Sequence, residues 1–375
     1  MGGASGKTIL VLGGGIGGVA CATRLRRHLG SAHRVVVVER DESYVYSPST
    51  LWLMVGGRTQ AQVTRSHDAL GHKGIELVKG TVEVIDPAAR SARVNGRTYQ
   101  GDYLVVALGA ELLPQRVPGL AQAGHDLYSL EGMMGLRDAR ASFTAGRIAV
   151  VVADLPFKCP AAPNEAALLL EADLRRRGVR EACEISLYTP ETGPMPVAGP
   201  EISGALRAMI EARGVRYFPG HKLASVDPQA RQLSFADGAR AGYDLLAFVP
   251  PHRVPEVVRE AGLVAESGWV AVERHTLATR FPGVYAIGDA TGIALANGRP
   301  LPKAGMLAHA QADVVADNIV HEITGKGAAR RFAGKGACFI ETGDGKAGYG
   351  DGDFYAEPAP RVRLRQPSRV LHLGK

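Results

Sequence analysis

The chain has 375 residues, of which 46% are hydrophobic and 22% charged, a balance that excludes a disordered or fibrous protein. Its length is sufficient for two or three domains of ordinary size. The formal net charge is +7, but the basic residues are spread along the chain and only 6% of the residues are aromatic, which disfavours nucleic acid as a partner.

The first predicted elements are a strand, a turn, a helix and a second strand. Residues 8–12 form an apolar run that ends in glycines, apolar residues at helical spacing follow, and residues 35–38 are apolar again. The turn has the G-x-G-x-x-G spacing, and an acidic residue ends the second run 21 residues after the last glycine. Such a glycine motif alone is weak, but strand, helix and acid in register with it predict dinucleotide binding. These residues are Gly13, Gly15, Gly18 and Glu39.

Each residue of this motif has a physical role in holding a dinucleotide. Gly13 permits the tight turn, Gly15 lets the backbone approach a pyrophosphate, and Gly18 allows the helix to pack closely on the strand. The helix N-terminus offers free N–H groups and a partial positive charge. Glu39 would accept hydrogen bonds from an adenosine ribose. A glycine turn with only a structural role is the alternative.

Two later apolar runs also end at residues suited to a ligand. Residues 103–108 run into Gly109, and residues 284–287 run into Gly288 and Asp289. The segments YLVVALGA and GVYAIGDA resemble the central motif and the second FAD signature of two-dinucleotide-binding-domain flavoproteins. This resemblance implies FAD as cofactor, with Asp289 contacting the ribityl or phosphate part of the flavin. A turn residue after a strand is the alternative for Asp289.

The segment between these motifs predicts a second α/β unit, with strands at 147–152, 184–188 and 245–249 and a helix at about 164–176. The predicted fold class is therefore α/β, with two Rossmann-like dinucleotide-binding units, as in two-dinucleotide-binding-domain flavoproteins, and a short C-terminal segment. The predicted divisions are 1–115 for the first part of the FAD-binding unit, 116–270 for the second unit, 271–330 for the rest of the FAD-binding unit and 331–375 for the C-terminal segment.

The second unit lacks a glycine fingerprint where flavoproteins of this architecture bind NAD(P)H. Its first strand runs into ADLPFKCPAAPNE, in which three prolines and Phe157 prevent a glycine-lined approach to a pyrophosphate. We therefore expect that NAD(P)H is not the electron donor. Cys159 lies in this segment, beside Lys158 and directly before a helix, where a thiolate is stabilised. A buried packing cysteine is the alternative.

The segment PFKCPAAPNE resembles a signature of sulfide:quinone oxidoreductases and of the related flavoprotein subunit of flavocytochrome c sulfide dehydrogenase. The late LPKAG segment and the cysteine in GKGACFIETGDGKAGYG extend the resemblance over most of the chain. It implies that Cys159 and Cys338, 179 residues apart, lie beside the flavin and form a redox-active disulfide or a sulfur bridge.

Two charged residues complete the candidate site. Lys303 begins a helical pattern, and a lysine with a helix N-terminus is suited to stabilising the anion that forms on flavin reduction. A solvent-facing lysine is its alternative. Glu165 could shuttle a proton from sulfide, or merely complement the dipole of its helix. Cys21 and Cys183 are predicted to be packing residues.

The sequence departs from the family in three segments. LAQAGHDLYSLE lacks the third cysteine of many quinone-linked members. SYVYSPST lacks the cysteine through which the flavocytochrome subunit attaches its flavin, so FAD is expected to be non-covalent. PRVRLRQPSRVLHLGK is basic and interrupted by proline, and offers a poor apolar face to a membrane. The expected acceptor is therefore a quinone or another electron acceptor.

We interpret the chain as an FAD-dependent enzyme that oxidises sulfide, or a related small sulfur species, through the pair Cys159 and Cys338. One alternative is an NAD(P)H-dependent disulfide reductase or an NADH dehydrogenase-like flavoprotein. The other is a non-catalytic flavin redox sensor or electron-transfer subunit. No metal site is expected, because the four cysteines match no zinc spacing.

The sequence also bears on location. Neither a signal peptide nor a window of about 18 apolar residues is present, so we expect a cytoplasmic protein. Contact with a membrane surface and formation of a homo-oligomer are left open.

Overall fold

The computed structural model describes residues 6–375. The chain divides into two units. Unit 1 contains the described residues up to Val45, then Thr64–Glu111 and Arg253–Lys335. Unit 2 contains Tyr46–Val63, Leu112–His252 and Gly336–Lys375. Residues 1–5, which are part of the segment where no signal peptide is expected, lie outside the described residues.

Strands and helices are numbered in chain order. The strands of unit 1 are β1 (Thr8–Leu12), β2 (Arg34–Glu39), β3 (Ser43–Val45), β4 (Thr64–Ser66), β5 (Glu76–Lys79), β6 (Val82–Asp86), β7 (Ser91–Val94), β8 (Arg97–Gln100), β9 (Tyr103–Val106) and β20 (Val284–Ala286). Its helices are α1 (Ile16–His28), α8 (Glu256–Glu260) and α9 (Gly305–Thr324). Two-residue strands, β10 (Glu111–Leu112) and β19 (His252–Arg253), stand where the chain passes from one unit to the other.

The strands of unit 2 are β11 (His125–Asp126), β12 (Gly146–Val152), β13 (Cys183–Tyr188), β14 (Val215–Phe218), β15 (Leu223–Asp227), β16 (Gln232–Phe235), β17 (Arg240–Gly242), β18 (Leu245–Val249), β21 (Lys335–Gly343), β22 (Lys346–Asp353) and β23 (Arg361–Ser368). Its helices are α2 (Thr50–Met54), α3 (Gln60–Val63), α4 (Leu120–Ala123), α5 (Leu130–Ser142), α6 (Ala162–Arg176), α7 (Pro200–Glu211) and α10 (Arg369–Gly374). Short 3₁₀ helices lie at Ser47–Ser49, His67–Lys73, Pro114–Arg116, Arg180–Ala182, Pro196–Ala198 and Gly288–Ala290.

A five-stranded parallel sheet in the order β20-β9-β1-β2-β5 forms the centre of unit 1. Side chains on both faces of β1 and β2 are buried, as expected for a parallel sheet covered on both sides. Helix α1 crosses from β1 to β2, while β9 pairs with the other edge of β1. The strand order therefore reverses at the carboxyl end of β1, which is where open α/β sheets bind their ligands.

Unit 2 repeats this arrangement with the order β11-β18-β12-β13-β14, again parallel throughout. Strand β12 lies between β13 and β18, and α6 follows it in the chain. Val150 and Val152 join the apolar core of the unit together with Leu168 of α6. The carboxyl end of β12 is thus the second point at which the strand order reverses.

The predicted α/β fold with two Rossmann-like units is confirmed. Strand β9 ends at Val106 and β20 at Ala286, slightly earlier than the apolar runs predict, because the chain then turns at Gly109 (φ +68°) and Gly288 (φ +72°). In the structure, residues 336–375 belong to unit 2, where β21, β22 and β23 form a separate sheet. No helix within residues 6–375 has both the length and the apolar composition to cross a membrane.

Candidate functional site

The glycine turn after β1 leads into an uncapped helix start. Helix α1 begins directly after Gly15, which has no side chain to cap the helix. The first turn of α1 contains no acidic residue. The N-terminal N–H groups of a helix carry a partial positive charge and lack partners within the helix. The start of α1 is therefore suited to an anion.

The three glycines of the turn differ in what a side chain would meet. A Cβ atom at Gly18 would lie 1.9 Å from the carbonyl oxygen of Gly13. At Gly13, where φ is +103°, a Cβ would lie 2.4 Å from the carbonyl oxygen of Ala107. At Gly15 nothing lies within 4 Å. The fold itself thus requires glycine at 13 and 18, whereas Gly15 leaves space for a ligand.

Glu39 is held at the end of β2 by backbone groups. Its carboxylate accepts hydrogen bonds from the N–H groups of Gly14 at 2.5 Å, Arg40 at 2.8 Å and Asp41 at 2.9 Å. Since a carboxylate has about four acceptor positions, capacity for a ribose hydroxyl remains. The contact with Gly14 was not anticipated from the sequence, and the contact with ribose stays a prediction.

Gly109, Gly288 and Asp289 follow β9 and β20, which are neighbours in the sheet of unit 1. A Cβ at Gly109 would meet nothing within 4 Å, so this turn is also open. The N–H of Gly288 donates to the side-chain oxygen of Gln311 at 2.7 Å. The sequence therefore places both turns correctly at one edge of the sheet, and their flavin contacts stay predictions.

Lys303 is buried, so the alternative of a solvent-facing lysine is wrong. Its Nζ donates to the carbonyl oxygens of Asp289 at 2.7 Å and Thr291 at 2.9 Å and lies 3.3 Å from the ring centroid of Trp269. Burial lowers the pKa of Lys303 to about 7, against the opposing charge of Asp289. The lysine stands just before α9, whose start has no side-chain cap and no acidic first turn. This neighbourhood fits an anionic group, and the role in flavin reduction stays a prediction.

The two predicted redox cysteines come together in unit 2. Cys159 follows β12 and Cys338 lies in β21; both are free cysteines that pack against the same apolar core, close enough for Cys159 to affect the pKa of Cys338. The hydrogen bond with Cys159 raises the pKa of Cys338 most, and burial raises it further. Cys338 is therefore a protonated thiol at neutral pH.

The backbone at Cys159 is in the left-handed region, with φ of +47°. Non-glycine residues adopt this conformation rarely, and it persists only where the surroundings hold it. Here the carbonyl oxygen of Cys159 accepts hydrogen bonds from the Tyr128 hydroxyl at 3.1 Å and from the N–H of Ala162 at 2.9 Å. Lys158 points its Nζ at the Tyr128 ring, 5.6 Å from the centroid.

The start of α6 is buried within the protein. Residues 161–165 are buried, and the first turn of the helix carries the acidic Glu165. The N–H groups of Ala162 and Glu165 donate to the carbonyl oxygens of Cys159 and Ala161. An acidic first turn with buried side chains disfavours a pyrophosphate. This geometry supports the expectation that the second unit holds no NAD(P)H.

The Glu165 carboxylate lies in a buried ion pair. Its Oε1 accepts hydrogen bonds from the N–H of Glu341 at 2.8 Å and from Nζ of Lys375 at 2.7 Å. The side chains of Glu165 and Lys375 are only 3% and 7% exposed. Glu165 thus links α6 to β21, the strand that carries Cys338. Its proposed proton-transfer role stays a prediction.

A second carboxylate completes this cluster. Glu341 lies 3.0 Å from Nδ1 of His372 and 3.9 Å from Nζ of Lys375. Burial raises the pKa of Glu341, against the opposing effects of Lys375 and His372. Burial lowers the pKa of Lys375, but the carboxylates of Glu165 and Glu341 outweigh burial, so that pKa is raised. No local signal in the sequence indicates these partners.

The remaining cysteines are buried packing residues, as predicted. Cys21 lies in α1 and Cys183 begins β13. Burial raises the pKa of Cys21 to about 12, which makes the thiolate scarce at neutral pH. The described part of the chain contains no cluster of His, Cys, Asp or Glu side chains suited to a metal ion.

The glycine turn yields a test that separates flavin binding from folding. In Gly15→Val the side chain enters open space, so the variant should fold but retain FAD at least about tenfold more weakly, because the pyrophosphate is blocked. In Gly18→Val the side chain overlaps the carbonyl of Gly13, which should destabilise the protein by roughly 3 kcal/mol or more. Flavin content and thermal unfolding measure the two effects. Normal flavin content in Gly15→Val would contradict the assignment of the turn.

The chain resembles sulfide:quinone oxidoreductases in sequence and in fold. It is 27% identical over 366 residues to the mouse protein "Sulfide:quinone oxidoreductase, mitochondrial", with 93% of this chain and 79% of the relative covered. It is 26% identical over 394 residues to "Sulfide-quinone reductase" of Aquifex aeolicus (strain VF5), with 98% and 87% covered. The resemblance drawn from the sequence is confirmed.

The X-ray structure of the sulfide:quinone oxidoreductase from Aquifex aeolicus superposes with a TM-score of 0.86 at 22% identity, covering 98% of this chain and 88% of that one. This likeness concerns the fold. FAD is the cofactor that the fold and its three motifs hold, and the open glycine turn, the uncapped helix starts and Lys303 fit its anionic groups. A family model described as pyridine nucleotide-disulphide oxidoreductase matches residues 7–312, and the chain belongs to this family of oxidoreductases.

Proposed function

We propose that the protein oxidises sulfide, or a related small sulfur species, at Cys159 and Cys338, and passes two electrons through FAD to a quinone. The observation that carries the proposal is the contact between the two thiols at the carboxyl end of β12. Related flavoproteins bind NAD(P)H at this point of the second unit. The names of the relatives from mouse and Aquifex aeolicus support sulfide as donor and quinone as acceptor.

The reaction begins from the oxidised pair. The sulfur of HS⁻ attacks one sulfur of the Cys159–Cys338 disulfide, a new S–S bond forms, and the disulfide bond breaks. One cysteine becomes a persulfide and the other a thiolate. FAD, when bound, supplies an acceptor for two electrons. In the net reaction HS⁻ loses two electrons and one proton, and its sulfur leaves as sulfane sulfur.

The carboxylate cluster supplies acceptors for the proton. Glu341 has a raised pKa, so its carboxylate can hold a proton nearer neutral pH than an ordinary glutamate. His372 is 32% exposed and contacts Glu341 at 3.0 Å, so it can exchange that proton with solvent. Glu165 interacts with both ends of this site, since it accepts a hydrogen bond from Lys375 and its charge raises the pKa of Cys338. We assign Glu165 and Glu341 to proton transfer on this basis.

The proposed quinone acceptor implies contact with a membrane surface. Helix α10 exposes Val370 and Leu373, 78% and 85% accessible, and follows β23, which carries Arg361, Arg363 and Arg365. Apolar side chains beside arginines suit an anionic lipid surface. The quinone acceptor is tested by comparing quinones, cytochrome c and oxygen as oxidants of the reduced protein. Fastest oxidation by cytochrome c or oxygen would contradict quinone as the acceptor.

The identity of the electron donor can be tested by reduction of the flavin. Sulfide should bleach the flavin absorbance under anaerobic conditions, whereas NADH and NADPH should reduce it slowly or not at all. The reason is that the start of α6 is buried and carries Glu165 where a pyrophosphate would bind. Stopped-flow absorbance measures the rates. Rapid, saturable reduction by either nucleotide at micromolar concentration would favour the dehydrogenase or disulfide reductase alternative.

The cysteine pair provides a second prediction. Cys159→Ser and Cys338→Ser should each retain FAD but lose sulfide-dependent flavin reduction by on the order of 1000-fold, because neither leaves a disulfide for sulfide to attack. The double variant should be about as impaired as either single one, since both residues belong to one reacting unit.

The matched controls are Cys21→Ser and Cys183→Ser, whose thiols are buried; both variants should leave the sulfide reaction intact. A normal rate in Cys338→Ser together with loss of reaction in Cys159→Ser would show that the proposed pair is wrong.

The raised pKa of Cys338 gives a prediction that needs no flavin. Alkylation requires the thiolate, so iodoacetamide should label Cys338 of the reduced protein only at alkaline pH. Cys159→Ala removes the largest cause of the raised Cys338 pKa. The midpoint of the pH–rate profile for alkylation of Cys338 should therefore move to lower pH. Peptide mass spectrometry measures the labelling, with Cys183→Ala as control. An unchanged midpoint in Cys159→Ala would show that the two thiols do not interact.

A further inference from the structure

His67 is a buried histidine beside the glycine turn of unit 1. It is 4% exposed and begins the short helix His67–Lys73. Its Nε2 lies 2.9 Å from the carbonyl oxygen of Gly14, and its Nδ1 lies 2.9 Å from the carbonyl oxygen of Asp41. The ring therefore joins the β1–α1 turn to the loop after β2.

The two contacts determine the proton content of the ring. A carbonyl oxygen only accepts hydrogen bonds, and a neutral imidazole has only one N–H. In a neutral ring, the lone pair of one nitrogen would face the lone pair of a carbonyl at 2.9 Å, which is costly in a buried site. Only the imidazolium form, with two N–H groups, satisfies both carbonyls.

Charged groups of both signs lie around His67. The Glu39 carboxylate lies beside the ring, since a Cβ placed on Gly14 would be 2.8 Å from His67 Nε2 and 3.0 Å from Glu39 Oε2. The carbonyl of Glu42 accepts the N–H of His67 at 3.1 Å. The side chains of Asp41 and Asp68 pair at the surface with Arg40 and Lys79, and the rings of Tyr44 and His67 form a T-shaped pair.

Together, His67 and Glu39 hold Gly14 from both sides. Glu39 accepts from the N–H of Gly14, and His67 donates to its carbonyl oxygen. Gly14 lies between Gly13 and Gly15, so its orientation sets the direction of the N–H groups that face a pyrophosphate. Loss of the His67 donor would leave the carbonyl of Gly14 without this hydrogen bond and make the β1–α1 turn less rigid.

We propose that His67 is a positioning residue for the flavin cofactor, which as an imidazolium holds the glycine turn in its FAD-binding conformation. FAD affinity should therefore be highest when the ring is protonated and should fall as rising pH removes the proton. This inference concerns cofactor binding, and it holds whether or not sulfide is the substrate.

The test measures the dissociation constant of FAD from apoprotein between pH 5.5 and 8.5, by flavin fluorescence. His67→Gln should bind FAD roughly tenfold more weakly at pH 6, the order expected for loss of a hydrogen bond from a charged donor. The variant should approach the wild-type constant at high pH. Lys303 also titrates near neutrality, but it is present in both proteins, so the difference between their profiles reports His67 alone.

His33→Gln is the matched control, because His33 belongs to the same unit and the hydrogen bonds of the described residues show its ring accepting only the N–H of Lys7, at 3.1 Å. It should leave both the affinity and its pH dependence unchanged. A second measurement uses wild-type apoprotein, in which ¹⁵N NMR of the imidazole should show both ring nitrogens of His67 protonated at pH 6. A constant ratio between the His67→Gln and wild-type affinities across the pH range, or one unprotonated nitrogen at pH 6, would overturn the proposal.

Discussion

The hydrogen bond from the N–H of Glu341 to the carboxylate of Glu165 holds the candidate site of unit 2 together. Glu165 is in the first turn of α6, just after Cys159, and Glu341 is in β21, just after Cys338. One buried contact therefore fixes the helix and the strand from which the two thiols meet. Lys375 neutralises the same carboxylate at 2.7 Å. Removing one partner of such a buried pair would leave an uncompensated charge and should destabilise the fold.

The two units use one sheet topology for different purposes. In each, the strand order reverses at the carboxyl end of one strand, which is β1 in unit 1 and β12 in unit 2. After β1 the chain turns through glycines, and the helix start remains open to an anion. After β12 the chain turns through prolines and Cys159, and the helix start is buried under its own acidic residue. The position that binds a nucleotide in related flavoproteins here carries Cys159, without a change in the sheet.

The sequence predicts most of what depends on local pattern. The parallel strands, α1 and α6 follow from runs of apolar residues, and Gly13 and Gly18 follow from the steric demands of one turn. The contact between Cys159 and Cys338 came from resemblance, because no local pattern joins residues 179 positions apart. Lys375 could not be predicted, since its pairing with Glu165 depends on how the C-terminal strands lie against α6. His67 could not be predicted for the same reason, since its contact with the carbonyl of Gly14 depends on the fold.

The charge balance around Cys338 suggests how the proposed reaction can release a proton inside the protein. The thiol is protonated because of its bond to Cys159, its burial and the negative charge of Glu165, while Lys375 favours the thiolate. Ionising Cys338 alone would add an anion to a buried cluster, at a cost of several kcal/mol. Moving its proton onto a carboxylate of the cluster leaves the total charge unchanged and removes one of the negative charges that opposed the thiolate. In the proposed reaction, two buried carboxylates near one lysine would therefore let the Cys338 thiol ionise without adding a net charge to the core of unit 2.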